Sequence, residues 1–153
     1  MTPADDDASF MGLALAEARR AGAEGEVPVG AVVVLEGRVI GRGHNASVRE
    51  GDPTAHAEIV ALREAARAAG NYRLPGAAVY ATVEPCPMCC GALLHARVAR
   101  LVYGAPDPRA GAARSLYRLL EDPRLNHQVT VAGGIRSAES AALLREFFEA
   151  RRA

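Results

Sequence analysis

Between Ala8 and Ala23 the apolar side chains Phe10, Leu13, Ala14 and Ala18 recur at helical spacing, and Gly22 and Gly25 mark an exit. That pattern predicts an opening helix. "VGAVVVLEGRVIGRGHN", Val29 to Asn45, predicts two strands that turn at Glu36-Gly37. "GDPTAHAEIVALREAARAAG" predicts a helix with Asp52 as N-cap, Pro53 in the first turn and Gly70 closing it. "AAVYATV" is a buried strand, a short helix starts around Cys86, and "ARLVYGA" is another strand. Ala113 to Leu120 is expected as helix, "QVTVAG" as strand, and Ser137 to Arg152 as a final amphipathic helix. Strands and helices alternate, which predicts an α/β fold, a three-layer α/β/α sandwich. The opening hairpin makes its five-stranded sheet mixed rather than wholly parallel.

At 153 residues, half of them hydrophobic and 24% charged, the chain reads as one globular domain spanning 1–153. No repeat, low-complexity segment or linker divides it. The acidic start "MTPADDDASF" lacks the apolar core of a secretory signal, and no apolar run reaches membrane-spanning length. Three cysteines crowded into five positions do not make a secreted disulfide framework. A reducing cytoplasm is expected. Zero net charge argues against broad coating of nucleic acid but leaves room for a local site. Every basic side chain among Lys and Arg is Arg, so no lysine amine is available for Schiff-base chemistry.

The chemistry concentrates in "VEPCPMCCGAL", Val83 to Leu93. Cys86 and Cys89 stand three apart, on one face of a helix, where two thiolates converge on a single ion. The first turn of a helix also favours the thiolate through its free N–H groups and dipole. A dithiol oxidoreductase places C-x-x-C in the same way, so the cysteines alone leave metal and redox evenly matched. "TAHAEI" separates them. His56 and Glu58 stand in the first turn of the preceding helix, two apart, and serve one site only if it lies off that helix's N-terminal end. His56 would then ligate zinc with Cys86 and Cys89, while Glu58 stands beside the ion unligated. Taken singly, His56 reads as a satisfied surface or core residue, and Glu58 as a carboxylate complementing the helix dipole. A structural zinc site needs a fourth protein ligand. Cys90 points about a quarter-turn or more away from Cys89 and reads as core. His44 and His95 have no spacing that recommends them.

His56-x-Glu58 followed by Pro85-Cys86-x-x-Cys89 is the known pattern of zinc nucleobase deaminases. With these residues in hand, the chain resembles the bacterial tRNA-specific adenosine deaminases of the cytidine and deoxycytidylate deaminase superfamily. The resemblance runs from about Phe10 to Arg152 through "EVPVGAVVV", "DPTAHAEI", "NYRL", "EPCPMC", "GALLHARV", "VYGA", "GAARSL", Asn126-His127 and "ALLREFFEARR". It implies a cytidine deaminase-like fold, one Zn2+ per subunit, no organic cofactor, and a homodimer whose RNA groove borrows from both subunits. It implies action on the wobble adenosine of a tRNA anticodon loop, that of an arginine tRNA, giving inosine. By motif position, Asn45 would hold the flipped nucleotide. Asp107, Asn126, Phe148 and Arg152 would touch its neighbours in the loop. Read from the residues instead, Phe148 on an amphipathic helix is core and Asn45 after a strand is a turn former. Pro106 before Asp107, and Glu149 in the last helix, depart from the basic or polar residues that such relatives carry.

Three ligands leave zinc a fourth position for water, whose pKa falls from about 15.7 to ~7 on such a metal. In this expectation that activated water attacks C6 of adenine. Glu58 takes its proton, passes it to N1, and then protonates the departing amine. A deaminase of free bases or nucleosides such as cytosine or guanine shares every zinc residue and is the alternative. A non-catalytic zinc module or a dithiol oxidoreductase leaves His56-x-Glu58 unexplained.

Overall fold

A computed structural model of the chain describes residues 3–152, so residues 1, 2 and 153 of the expected domain lie outside it. Helix α1, Pro3–Ala23, leads into strand β1, Gly30–Leu35, and strand β2, Arg38–His44. Helix α1 starts earlier than the apolar spacing indicated, and acidic Asp6 and Asp7 in its first turns suit the positive end of a helix. The hairpin turns at Glu36-Gly37, both with positive φ (52° and 78°). That is the backbone of the two-residue turn whose twist matches paired strands.

A short helix α2, Ser47–Glu50, follows, and then helix α3, Ala57–Ala69, closed by Gly70. Asp52 is not its N-cap. The Asp52 carboxylate instead accepts the N–H and the hydroxyl of Thr54, at 2.8 and 2.7 Å, which folds 52–56 into a turn. The helix therefore starts about four residues later than expected, with His56 in the capping position. Strand β3, Ala78–Val83, helix α4, Pro87–His95, and strand β4, Arg100–Ala105, come next. Strand β5 is short, Thr130–Ala132, and helix α5 spans Ser137–Arg152.

The expected helix over Ala113 to Leu120 does not form. That stretch is irregular apart from one 3-10 turn at Leu119–Glu121. The N–H groups of Ala113, Arg114 and Ser115 all point at the carboxylate of Glu84, and the Leu116 and Leu119 N–H groups return to the Gly111 and Ala112 carbonyls, five and seven residues back rather than the four of an α-helix.

The strands form one mixed sheet in the order β2-β1-β3-β4-β5. β1 runs antiparallel to both β2 and β3, whereas β3, β4 and β5 are parallel. Alternate residues of β1 feed opposite cores. Ala31 and Val33 pack with Ala57, Ala61 and Ala65 of α3 and with Cys90 and Leu93 of α4. Val32 and Val34 pack with Met11, Ala14 and Leu15 of α1, and Leu143 of α5 joins them. Three layers result, as alternation through a sheet buried on both faces requires.

The sequence also sets how closely α3 approaches the sheet. A Cβ at Gly41 or Gly43 of β2 would overlap the backbone of Ala61 or Ala57. Those two glycines let the helix lie directly on the strand, which places its N-terminus next to that of α4.

Candidate metal centre and reaction pocket

His56 ends an extended approach to α3 (φ −74°, ψ 155°), and its side chain caps nothing. The imidazole turns toward α4 instead, with Nδ1 3.6 Å from the Cys86 sulfur and 3.5 Å from the Cys89 sulfur. Cys86 occupies the equivalent position before α4, also extended, and Pro87 supplies the preset first turn. Cys89 follows one turn along and is fully buried.

The ligand atoms of His56, Cys86 and Cys89 lie within 4.8 Å of one another. Zinc–sulfur bonds of about 2.3 Å and zinc–nitrogen bonds of about 2.0–2.1 Å at tetrahedral angles put sulfur and nitrogen roughly 3.6 Å apart. The observed separations match, so this donor set fits zinc without rearrangement. Among the described residues the group holds three ligands, not the four of a closed structural site.

Hydrogen bonds within the trio shift all three groups, and of the three Cys86 alone is favoured as the thiolate. Cys86 is pulled down to about 4, chiefly by the bond it receives from Cys89 and, against the cost of burial, by His56. The bond to Cys86 raises His56, while Cys89 is driven up as the donor. One thiolate thus faces two proton donors, which an entering cation displaces.

Glu58, 4% exposed, shares the cavity that opens beside the trio, and burial pushes its carboxyl above the usual range. The cavity measures about 220 Å³ and is walled by Val27, Val29 and Val83, with Asn45 and Asp107 among its polar residues. It sits beyond the C-terminal end of β3, where α/β sheets present their chemistry.

Of the residues expected at the site, His56, Glu58, Cys86, Cys89, Asn45 and Asp107 are brought together. Asn45 accepts the Ala57 N–H at 2.9 Å, and Asp107 accepts the N–H groups of Arg109 and Ala110. Phe148 is 43% exposed rather than core and borders an adjoining cavity with Pro106, Asp107 and Arg109. Arg152 is exposed in the last turn of α5. Asn126 stands apart, its amide oxygen taking the Arg97 guanidinium just past the far end of α4. Cys90 is core, as expected, its thiol donating to the Pro85 carbonyl at 3.7 Å. His44 is engaged by two carboxylates, Glu17 at 2.9 Å and Glu24 at 3.1 Å. The residue that spacing did not reveal is Glu84. Its one signal is a carboxylate set between an apolar strand and Pro85, where burial demands an answering group.

This site defines a zinc-dependent nucleobase deaminase. A family model, the cytidine and deoxycytidylate deaminase zinc-binding region, matches residues 4–105, and the chain belongs to that family. Within it, the chain is similar to the tRNA-specific adenosine deaminase of Agrobacterium fabrum, 51% identical over 143 residues that cover 94% of each chain. A solved structure from a study of A-to-I editing by tRNA:A34 deaminases at the wobble position is also 51% identical, with a TM-score of 0.86. The match covers 89% of this chain and 99% of that one. A guanine deaminase from Nitrosomonas europaea is more distant, 27% identical with a TM-score of 0.80, covering 92% of this chain and 83% of that chain.

Proposed function

We propose that the chain hydrolytically deaminates adenosine to inosine at the wobble position of a tRNA anticodon, an arginine tRNA, using one zinc ion per subunit. Deamination rests on one observation: a three-donor His56-Cys86-Cys89 set beside a buried carboxylate that is not among the donors. The tRNA substrate rests on the similarity to the tRNA-specific enzymes.

His56, Cys86 and Cys89 would hold the zinc ion, which would supply a Lewis acid that lowers the pKa of a water molecule. Glu58 does the proton work. Its carboxylate accepts a proton from the attacking water and delivers it to N1 of the purine, then takes the proton of the hydroxyl added at C6 and gives it to the amine, which leaves as ammonia. Water and adenosine become ammonia and inosine, and the carboxylate ends as it began. A raised pKa suits a group that must both accept and donate near neutrality. Val27, Val29 and Val83 flank the ring and keep water away from it. The Asn45 amide nitrogen faces the nucleotide while its oxygen holds α3.

An anticodon loop is already single-stranded, so extruding its base costs a few kcal/mol at most. Phe148, exposed beside the pocket, offers a ring for a neighbouring base, a contact worth about 1–3 kcal/mol. Arg109 and Arg152 supply nearby positive charge, and Asp107 the loop contact. Asn126, at the far end of α4, would serve a partner subunit's substrate or none. An apolar groove between α3 and α4, lined by Ile59, Leu62, Ala66, Leu74 and an exposed Tyr72, supports a homodimer. No helix among the described residues is long and apolar enough to cross a membrane, and free thiols suit a cytoplasmic enzyme of one domain.

The test offers an anticodon stem-loop, free adenosine, cytidine and guanine side by side and measures ammonia release. Deamination of the stem-loop alone supports this reading. Turnover of free guanine instead would assign the chain to the other branch of its structural neighbours.

A further inference from the structure

Glu84 lies between the end of β3 and the metal-binding turn, two residues before Cys86, and is 3% exposed. Its carboxylate accepts five hydrogen bonds. The Asp107 N–H and the Ser115 hydroxyl reach Oε1, and the N–H groups of Ala113, Arg114 and Ser115 reach Oε2 at 3.2, 2.8 and 2.9 Å. Among the described residues no cation answers this charge, and the Arg114 guanidinium is turned to the Val131 carbonyl and to Glu121. Backbone dipoles neutralise it, in the manner of an anion in a nest of N–H groups, except that the anion belongs to the chain.

Residues 106–118 contain neither helix nor strand; turn bonds within the segment and the Ala112 N–H on the Pro85 carbonyl at 2.8 Å act beside Glu84 in ordering them. Their N–H groups at 107 and 113–115 converge on this one carboxylate. Gly111 completes the fit, since a Cβ there would overlap the Glu84 carboxylate and the Asp107 carbonyl. Two walls of the reaction pocket are thereby held at fixed separation. Cys86 lies on one, and Asp107 and Ala110 lie on the other.

We infer that Glu84 is a positioning residue, which shapes the substrate wall formed by residues 107–115 through its hydrogen bonds and takes no part in proton transfer. The inference deepens the deaminase reading of this pocket and rests on it.

Glu84→Gln, Glu84→Asp and Ser115→Ala are compared with the wild-type holoenzyme by zinc content, amide hydrogen exchange and steady-state kinetics. The kinetics use whichever substrate the wild type deaminates. Glu84→Gln keeps zinc and faces N–H donors with its own NH2. Exchange then rises at Asp107, Ala113, Arg114 and Ser115 while Cys90 of α4, bonded to the Cys86 carbonyl, stays protected. KM rises on the order of tenfold with kcat changed about threefold or less. Glu84→Asp, which keeps the charge, recovers part of the KM loss, and Ser115→Ala gives a smaller shift in the same direction.

Unchanged exchange at those four amides, or a fall in kcat at wild-type KM, overturns the inference. So does loss of zinc from Glu84→Gln. Should Glu84→Gln fail to fold, Ser115→Ala decides by the same two readouts. Exchange is independent of substrate identity, so failure of the tRNA reading stays separate from failure of this one.

Discussion

The side-chain oxygen of Asn45 accepts the N–H of Ala57 at 2.9 Å, tying the end of β2 to the first turn of α3 across twelve residues. His56 fills the capping position but points its ring at the two sulfurs, so the cap comes from elsewhere in the chain. A residue needed for chemistry has displaced the local capping bond, and a neighbouring loop has replaced it.

Asn45→Ala removes that bond, and losing a cap costs about 1 kcal/mol. For a domain of this size the melting temperature falls by about 2–4 °C. Asn45→Asp keeps the acceptor and holds the wild-type melting temperature, yet loses the amide donor and with it activity. Calorimetry and a deamination assay on the two variants separate the roles.

Glu58→Gln leaves the zinc ligands intact but removes the carboxylate that moves protons. Turnover falls by at least ~10²–10⁴-fold while metal content stays at the wild-type level. The melting temperature holds or rises, because a buried carboxyl that burial disfavours has been replaced by a neutral group. Inosine formation and metal analysis on one preparation check this.

Cys86→Ala and Cys89→Ala lose zinc, and with it the part of folding free energy that ligation contributes. Cys90→Ala keeps zinc, since that sulfur bonds the Pro85 carbonyl inside the core. Metal content and thermal melting of the three single variants give the contrast directly.

Arg100 grips Asp7 with both terminal nitrogens, at 2.7 and 2.6 Å, and the Tyr80 hydroxyl adds a third bond at 2.7 Å. The Arg100 bond, opposed by burial and helped by Tyr80, holds the Asp7 carboxyl below its ordinary value of 3.8. A depressed carboxyl stabilises the fold above its unfolded pKa, and that contribution disappears as pH falls through the lower folded value. Wild type is therefore more stable than Asp7→Asn at pH 7, and the difference shrinks only below about pH 3.8. Melting curves of both proteins between pH 7 and pH 2.5 measure the gap.

Elements with a strong period are legible in the sequence alone. Phe10, Leu13 and Ala14 mark α1, and the Val-rich run from Ala31 to Leu35 with Glu36-Gly37 marks the hairpin. His56-x-Glu58 with Cys86-x-x-Cys89 marks residues that the fold does bring together, in a group that could hold a metal ion. Where the structure differs, a competing partner, near or remote in sequence, takes the hydrogen-bonding group. Asp52 is a good capping residue, but Thr54 claimed its carboxylate first. Ala113 to Leu120 has helical composition, but its amides turn to Glu84, about thirty residues upstream. No local pattern records such long-range bonds. Phe148 fits an amphipathic stripe and still faces outward beside the pocket, since the apolar face of α5 is satisfied by Leu143 against α1.

His44 is clamped between Glu17 and Glu24, one carboxylate on each ring nitrogen. An ion arriving at the folded chain therefore meets that imidazole already occupied on both sides, with a carboxylate to be dislodged before either nitrogen can bind. At Cys86 and Cys89 the groups that hold His56 are themselves members of the donor set, so only protons leave as the ion enters. Loading consequently favours a single destination, and excess zinc should not poison the enzyme by seizing His44.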